Sequence, residues 1–120
     1  MKKLAVMYLR LSRDDGEEIE SNSISSQREL IKAYGKQHGL NISCEYVDDG
    51  VSGATFNRPS FKRMMGDLEK GKIETIVVKD LSRFGRDYIE TGKYLQKIFP
   101  EKKVRFISIN DNYDSMNADA

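Results

Sequence analysis

Five side chains of this sequence stand out for what they could do together: Ser12, a hydroxyl nucleophile type, and the guanidinium cations Arg10, Arg58, Arg83 and Arg86. A guanidinium is planar, keeps its charge in any pocket and can bond two oxygens of one phosphate at once. Several of them around a phosphate would offset the charge that builds on its oxygens in a transition state. A serine beside them is what a covalent phosphoryl-transfer step requires. Taken singly, each arginine reads better as a solvated surface cation and Ser12 as an ordinary loop residue. The chemistry depends on whether the fold gathers them.

The elements that must do so can be read in chain order. Leu4 to Leu9 is an apolar run with no charge inside it, which predicts a strand buried on both faces that hands Arg10 and Ser12 to a polar loop. Arg13 to Ser21 is acidic and loop-like. A helix opens near Ser23, where several serines can serve as N-cap and Ser26 with Glu29 has capping-box spacing. Ile24, Leu30, Ile31 and Tyr34 give its apolar face, and Gly39 ends it. Ile42 to Val47 predicts a second strand in which Ile42, Cys44 and Tyr46 alternate, so Cys44 reads as a small core residue.

A loop from Asp48 to Arg58 leads to Pro59, suited to the first turn of a helix whose inner face is Phe61, Met64, Met65 and Leu68 and which Gly71 closes. Thr75 to Val78 is β-branched and continuous, as a strand at the sheet centre should be. After the polar stretch Lys79 to Asp87, a helix is expected to Phe99 with Tyr88, Leu95 and Phe99 inward, stopped by Pro100. Val104 to Ile109 predicts a fourth strand, Asn110 to Asp114 a closing loop, and the remainder a frayed tail.

Strands alternating with helices predict an α/β domain with a mostly parallel central sheet of about four strands flanked by helices. In such a sheet the segments after each strand share one edge, where ligands bind. That edge receives Arg10 and Ser12, then Asp49, Ser52 and Arg58, then Arg83 and Arg86, and last Asn110 and Asp111. Tyr8 points the same way as Arg10 and Ser12, either toward the site or as a buried tyrosine with a bonded hydroxyl.

Composition bounds the remainder. The 120 residues suit one domain, and with 32% charged and 38% hydrophobic residues the chain reads as globular rather than disordered. Lysine and arginine total 20 against 19 acids, so no global field draws the chain to nucleic acid and only local clustering of cations could. One cysteine excludes an internal disulfide or a cysteine-rich zinc site. The amino-terminal apolar run is too short for a signal peptide or a membrane span, which predicts a cytoplasmic protein. The single histidine, His38, falls at a helix end, where it favours the dipole; no serine–histidine–aspartate triad is available. Asp14, Asp15, Asp48 and Asp49 could hold magnesium but read better as loop acids. No glycine-rich nucleotide loop is present.

At Tyr8-Leu9-Arg10-Leu11-Ser12, Ser25-Ser26-Gln27, Asp49-Gly50-Val51-Ser52-Gly53 followed by Arg58-Pro59, and Asp80-Leu81-Ser82-Arg83-Phe84-Gly85-Arg86-Asp87, the sequence resembles the catalytic domain of the serine recombinases, the resolvase and invertase family, most of all its large transposon and phage members. The resemblance runs over essentially the whole chain and implies the resolvase-like three-layer fold. It implies that Ser12 attacks a DNA phosphodiester, forms a 5′-phosphoserine link and religates after strand exchange. Arg10, Arg83 and Arg86 would hold the scissile phosphate, with Tyr8, Gln27, Asp49, Ser52, Arg58 and Ser82 as a supporting polar shell. Neither metal nor cofactor is implied; the partners are double-stranded DNA and, in the full-length protein, further copies in a dimer or tetramer.

Many members carry aspartate where Ser82 stands, and Asp80 is the candidate to replace it. Members also continue into a long helix and separate DNA-binding domains, so residues 1–120 read as an amino-terminal catalytic domain. Alone it is expected to bind DNA weakly, to be silent, and to hold Ser12 loosely with the arginines not yet gathered. Two other readings stay open on the residues alone. One is a receiver-like module phosphorylated on aspartate with Lys79 assisting; the other is a non-catalytic DNA-binding or assembly module.

Overall fold

Strand β1 (Leu4–Leu11) is buried without interruption from Ala5 through Arg10, the outcome expected of its apolar run. The structure is a computed structural model that describes residues 3–11, 23–50 and 58–116. On one side β1 pairs in parallel with β2 (Ile42–Asp49), on the other with β3 (Ile73–Val78). β3 pairs in parallel with β4 (Arg105–Ser108), to which β5 (Tyr113–Asp114) is added antiparallel, giving the order β2-β1-β3-β4-β5.

Alternation along these strands separates two apolar layers. Val6, Tyr8, Tyr46, Ile76, Val78 and Phe106 face α2 (Pro59–Glu69), packing with its Phe61, Met64 and Leu68 and with Phe84 and Phe99. Met7, Leu9, Val77 and Ile107 face the other way and pack with Ile31 of α1 (Ile24–His38). The domain is therefore the expected three-layer α/β arrangement, with a mostly parallel sheet between helices.

Several details differ from the sequence reading. The sheet has five strands among the described residues, because Tyr113 and Asp114, read as loop, return against β4. Ser115 is not frayed: its N–H donates to the Phe106 carbonyl and its Oγ accepts from the Phe106 N–H. The N-cap of α1 is Ser23, whose side chain accepts from the Ser26 N–H, so Ser26 lies inside the helix and does not open a capping box with Glu29. Gly39 does end α1, in the left-handed conformation with φ 71°. Cys44 is exposed rather than buried. β2 is an edge strand, and α2 covers it only from Tyr46 onward, where Asp67 takes the Tyr46 hydroxyl bond.

Pro100 does not stop the helix before it. A short turn α3 (Leu81–Phe84) precedes α4 (Tyr88–Lys93), which continues through a π-helical turn (Tyr94–Ile98) into α5 (Phe99–Lys102). In the π turn the Phe99 N–H reaches back to the Tyr94 carbonyl. Widening the ladder there removes the clash between a proline ring and the carbonyl four residues earlier, so the helix runs on to Lys103, which ends it at φ 59°. Tyr88 is 90% exposed instead of facing inward, while Phe99 is 1% exposed. Tyr88 is the first helical residue, and side chains lean toward a helix's N-terminus, so its ring clears the layer beneath.

Ser12, the acidic segment through Ser21, Ser52 with its neighbours, and the last four residues lie outside the described residues. Among the described residues, no helix is long and apolar enough to cross a membrane.

Candidate active site at the carboxyl edge of the sheet

The site is built around α3, a single helical turn directly after the central strand. One turn leaves both sets of terminal backbone groups without partners inside the helix. At its start, the Leu81 N–H donates to Asp111 Oδ2 at 2.7 Å, and Asp111 is itself held by the Ser108 hydroxyl at 2.6 Å. The Arg83 N–H donates to Asp80 Oδ1 at 3.0 Å. At its end, three successive carbonyls are taken by arginines from elsewhere. Arg10 donates from Nη2 to the Ser82 carbonyl at 2.6 Å and from Nε to that of Arg83 at 3.0 Å, while Arg58 donates from Nη2 to that of Phe84 at 2.5 Å. Cations at a helix C-terminus are electrostatically favoured, which helps keep both guanidinium groups buried here.

Arg10 is tied as firmly through its backbone. Its N–H donates to Gln27 Oε1 at 3.3 Å, and its carbonyl accepts from Gln27 Nε2 at 2.9 Å and from Arg83 Nη1 at 3.2 Å. Arg83 also lies 3.5 Å from Asp80 Oδ1 through its Nε. β1, α1 and α3 are thus joined at one point by side chains that are all buried.

A second cluster adjoins it. The Tyr8 hydroxyl donates to Asp48 Oδ2 at 2.8 Å and accepts from Arg58 Nη1 at 2.9 Å. Asp48 also accepts from the N–H groups of Ser60 at 2.9 Å and Phe61 at 3.0 Å. Arg58, the N-cap residue of α2, makes no side-chain cap bond, so the carboxylate arriving from β2 satisfies the start of that helix instead. The Arg58 guanidinium lies over the Tyr8 and Phe61 rings, at 5.4 and 5.0 Å. Burial pushes the Tyr8 hydroxyl well above its ordinary range against the pull of Arg58, and the Asp48 bond adds to the rise, so it stays a neutral donor. Burial also lowers the Arg58 guanidinium, opposed by Tyr8 and Asp48.

Of the residues singled out in the sequence, the edge brings Tyr8, Arg10, Gln27, Arg58 and Arg83 together, each buried. Arg86 is exposed beyond α3. Ser82 is exposed and contributes its carbonyl. Asp49 is exposed, at the end of β2 opposite Leu11. Ser12 and Ser52 lie outside the described residues. Arg10 and Arg83 each donate to the other's carbonyl, whereas the expectation that the arginines are not yet gathered around Ser12 falls on a residue outside the described ones.

Two residues at the centre of the arrangement went unrecognised, Asp48 as its hub and Asp111 as the anchor of α3. Asp48 was legible: extending the alternation of Cys44 and Tyr46 by two places puts it, and not Asp49, on the face covered by α2. Among the described residues, no group of three or more metal-ligating side chains occurs, and Asp48 is committed to Tyr8 and α2.

The family model for the N-terminal domain of resolvases matches residues 5–120. This chain belongs to the resolvase family. It is similar to the N-terminal catalytic domain of TP901-1 integrase, at 31% identity and TM-score 0.84 over 97% of this chain and 84% of that one. A resolvase family site-specific recombinase from Streptococcus pneumoniae matches at 31% identity and TM-score 0.78, covering 98% of this chain and 79% of that one. The transposon Tn917 resolvase of Enterococcus faecalis is 30% identical over 90% of this chain, which spans 50% of that protein's length. Family membership and these likenesses support a site-specific DNA recombinase function for this chain.

Proposed function

We propose that this domain cleaves and rejoins double-stranded DNA through a phosphoserine on Ser12, as the amino-terminal catalytic part of a longer recombinase that acts as a dimer or tetramer in the cytoplasm. Ser12 Oγ forms a bond to phosphorus while the bond from phosphorus to the 3′ oxygen breaks. The protein then carries the 5′-phosphate, and the proton lost by Ser12 is balanced by the one gained on the released 3′-hydroxyl. Attack by that hydroxyl after strand exchange reverses the step, so no external energy source is needed.

The observation that carries this reading is the anchoring of α3. Two buried arginines from β1 and the start of α2 fix the turn that carries Arg83 and immediately precedes Gly85-Arg86, on the edge to which β1 leads the chain toward Ser12. In the reading, Arg83 and Arg86 meet the scissile phosphate and Arg10 joins them. Tyr8, Asp48 and Arg58 hold the supporting frame, with Asp49 and Ser82 at its periphery; Ser52, outside the described residues, is proposed as a further member of the polar shell. Arginine forks bind phosphate oxygens bidentately and stabilise their charge where little covalent chemistry is left to the protein.

The test is Ser12→Ala in the full-length protein, on a DNA substrate whose cleaved strand cannot religate. The expected result is loss of the covalent protein–DNA adduct with DNA binding retained; an undiminished adduct would end the assignment.

A further inference from the structure

β1 outruns its neighbour. Its pairing with β2 continues through Leu11 and Asp49, while its pairing with β3 ends at Met7 and Val77. Leu11 still turns its carbonyl toward the β2 side, where the Gly50 N–H takes it at 2.5 Å. On the other side β3 has given way to the turn that starts α3, so among the described residues no strand pairs with Arg10 on that side. Buried backbone groups need partners. The N–H and carbonyl of Arg10 both bond the side-chain amide of Gln27, at 3.3 and 2.9 Å, the carbonyl also accepting from Arg83 Nη1 at 3.2 Å. That amide accepts with one atom and donates with the other, as a facing strand would.

We infer that Gln27 is a positioning residue: its amide stands in for the missing strand beside Arg10 and so fixes the chain that leads, two residues later, into Ser12. It does not touch DNA. Both polar atoms of its amide are turned to the Arg10 backbone, at 3.3 and 2.9 Å. Glutamine suits the task because only a primary amide offers a donor and an acceptor side by side on an arm long enough to cross from α1. The inference rests on the proposed role of Ser12 for its catalytic consequence, but its structural half stands apart from it.

Gln27→Met keeps the length and packing of the side chain and removes both polar atoms; Gln27→Glu keeps the acceptor for the Arg10 N–H. Amide exchange by NMR on the chain reads the structural half. In Gln27→Met the Arg10 amide should exchange at least tenfold faster, while that of Val6, within the region where β1 is paired on both sides, keeps its protection. Single-turnover cleavage by the full-length protein reads the other half. The rate of adduct formation at saturating DNA should fall at least tenfold with the half-saturating DNA concentration unchanged, and Gln27→Glu should recover part of both losses.

A Gln27→Met variant with unchanged Arg10 exchange and unchanged cleavage overturns the inference. So does one whose cleavage is restored by raising the DNA concentration, since Gln27 would then be a DNA contact. If Gln27→Met does not fold, Gln27→Glu decides by the same two measurements. Failure of the proposed function itself is separable: it shows as an adduct that survives Ser12→Ala, whatever the Gln27 variants do.

Discussion

Asp48 offers the sharpest test of how the site is held. Replacing it with alanine removes the acceptor of the Tyr8 hydroxyl and of the N–H groups of Ser60 and Phe61. Loss of the bonds at the start of α2 should cost about 1 kcal/mol, as for other N-caps. Leaving the buried Tyr8 hydroxyl without its acceptor adds about 2 kcal/mol, within the usual range for a buried polar group that loses its partner. The sum, about 3 kcal/mol, is a large share of the roughly 5–15 kcal/mol by which domains are stable. At about 4 °C per kcal/mol for a chain of this size, the thermal midpoint should fall by about 12 °C. Asp49→Ala, one residue away but exposed, should stay within about 0.5 kcal/mol of the parent. Thermal and urea unfolding of the two variants, followed by circular dichroism, makes the comparison. Equal shifts, or an Asp48→Ala loss below about 1 kcal/mol, would refute the claim that Asp48 joins β1, β2 and α2.

Two further outcomes follow from ion pairs at either end of β4's neighbourhood. Asp80→Asn keeps a cap acceptor for the Arg83 N–H but removes the charge 3.5 Å from Arg83 Nε, so stability should hold within about 0.5 kcal/mol. Adduct formation by the full-length protein should then fall severalfold, up to about tenfold, the difference between a charged and a neutral partner; full cleavage would show that Asp80 does not orient Arg83. The two-pronged bond from Arg105, at 3.0 and 2.6 Å, holds the Asp114 carboxyl below its usual range. A depressed carboxyl stabilises the fold above its unfolded pKa of about 3.9 and loses that contribution as pH falls through its folded value. The urea midpoint of Asp114→Asn should therefore lie below the parent's at pH 6 and converge with it in stronger acid; a gap constant with pH would exclude the pair as the cause.

The fold was largely legible because its signals were local and strong. A charge-free run became β1, a β-branched run became the central β3, and Pro59 marked the start of α2. What escaped depended on distant partners. β5 is two residues long and exists only because β4 offers an edge. Cys44 alternates correctly but extends past the helix that would have covered it. Pro100 is compatible with helix only because the turn before it is widened, and no local propensity encodes that choice. Within the site, the convergence of Arg10, Arg58 and Arg83 followed from topology alone. Their mutual bonding through backbone carbonyls did not, because a carbonyl carries no residue identity to read.

The same point explains how serine is accommodated at position 82, where the resemblance read from the sequence implies aspartate. Arg10 needs an acceptor there at the end of a helical turn, and it takes the backbone carbonyl, which any residue supplies, while the Ser82 side chain is exposed. The carboxylate that could orient Arg83 comes instead from Asp80, already at the N-cap and within 3.5 Å of Arg83 Nε. One acid thus serves both as cap and as counter-charge, at the position that also begins the turn. Asp111 enters from the opposite side, on the Leu81 N–H, and leaves α3 held by carboxylates at its start and guanidinium groups at its end, the sense in which a helix dipole favours each charge. A turn of four residues has no stability of its own. Its orientation, and with it that of Arg83, is set by β1, by the loop after β4 and by the start of α2.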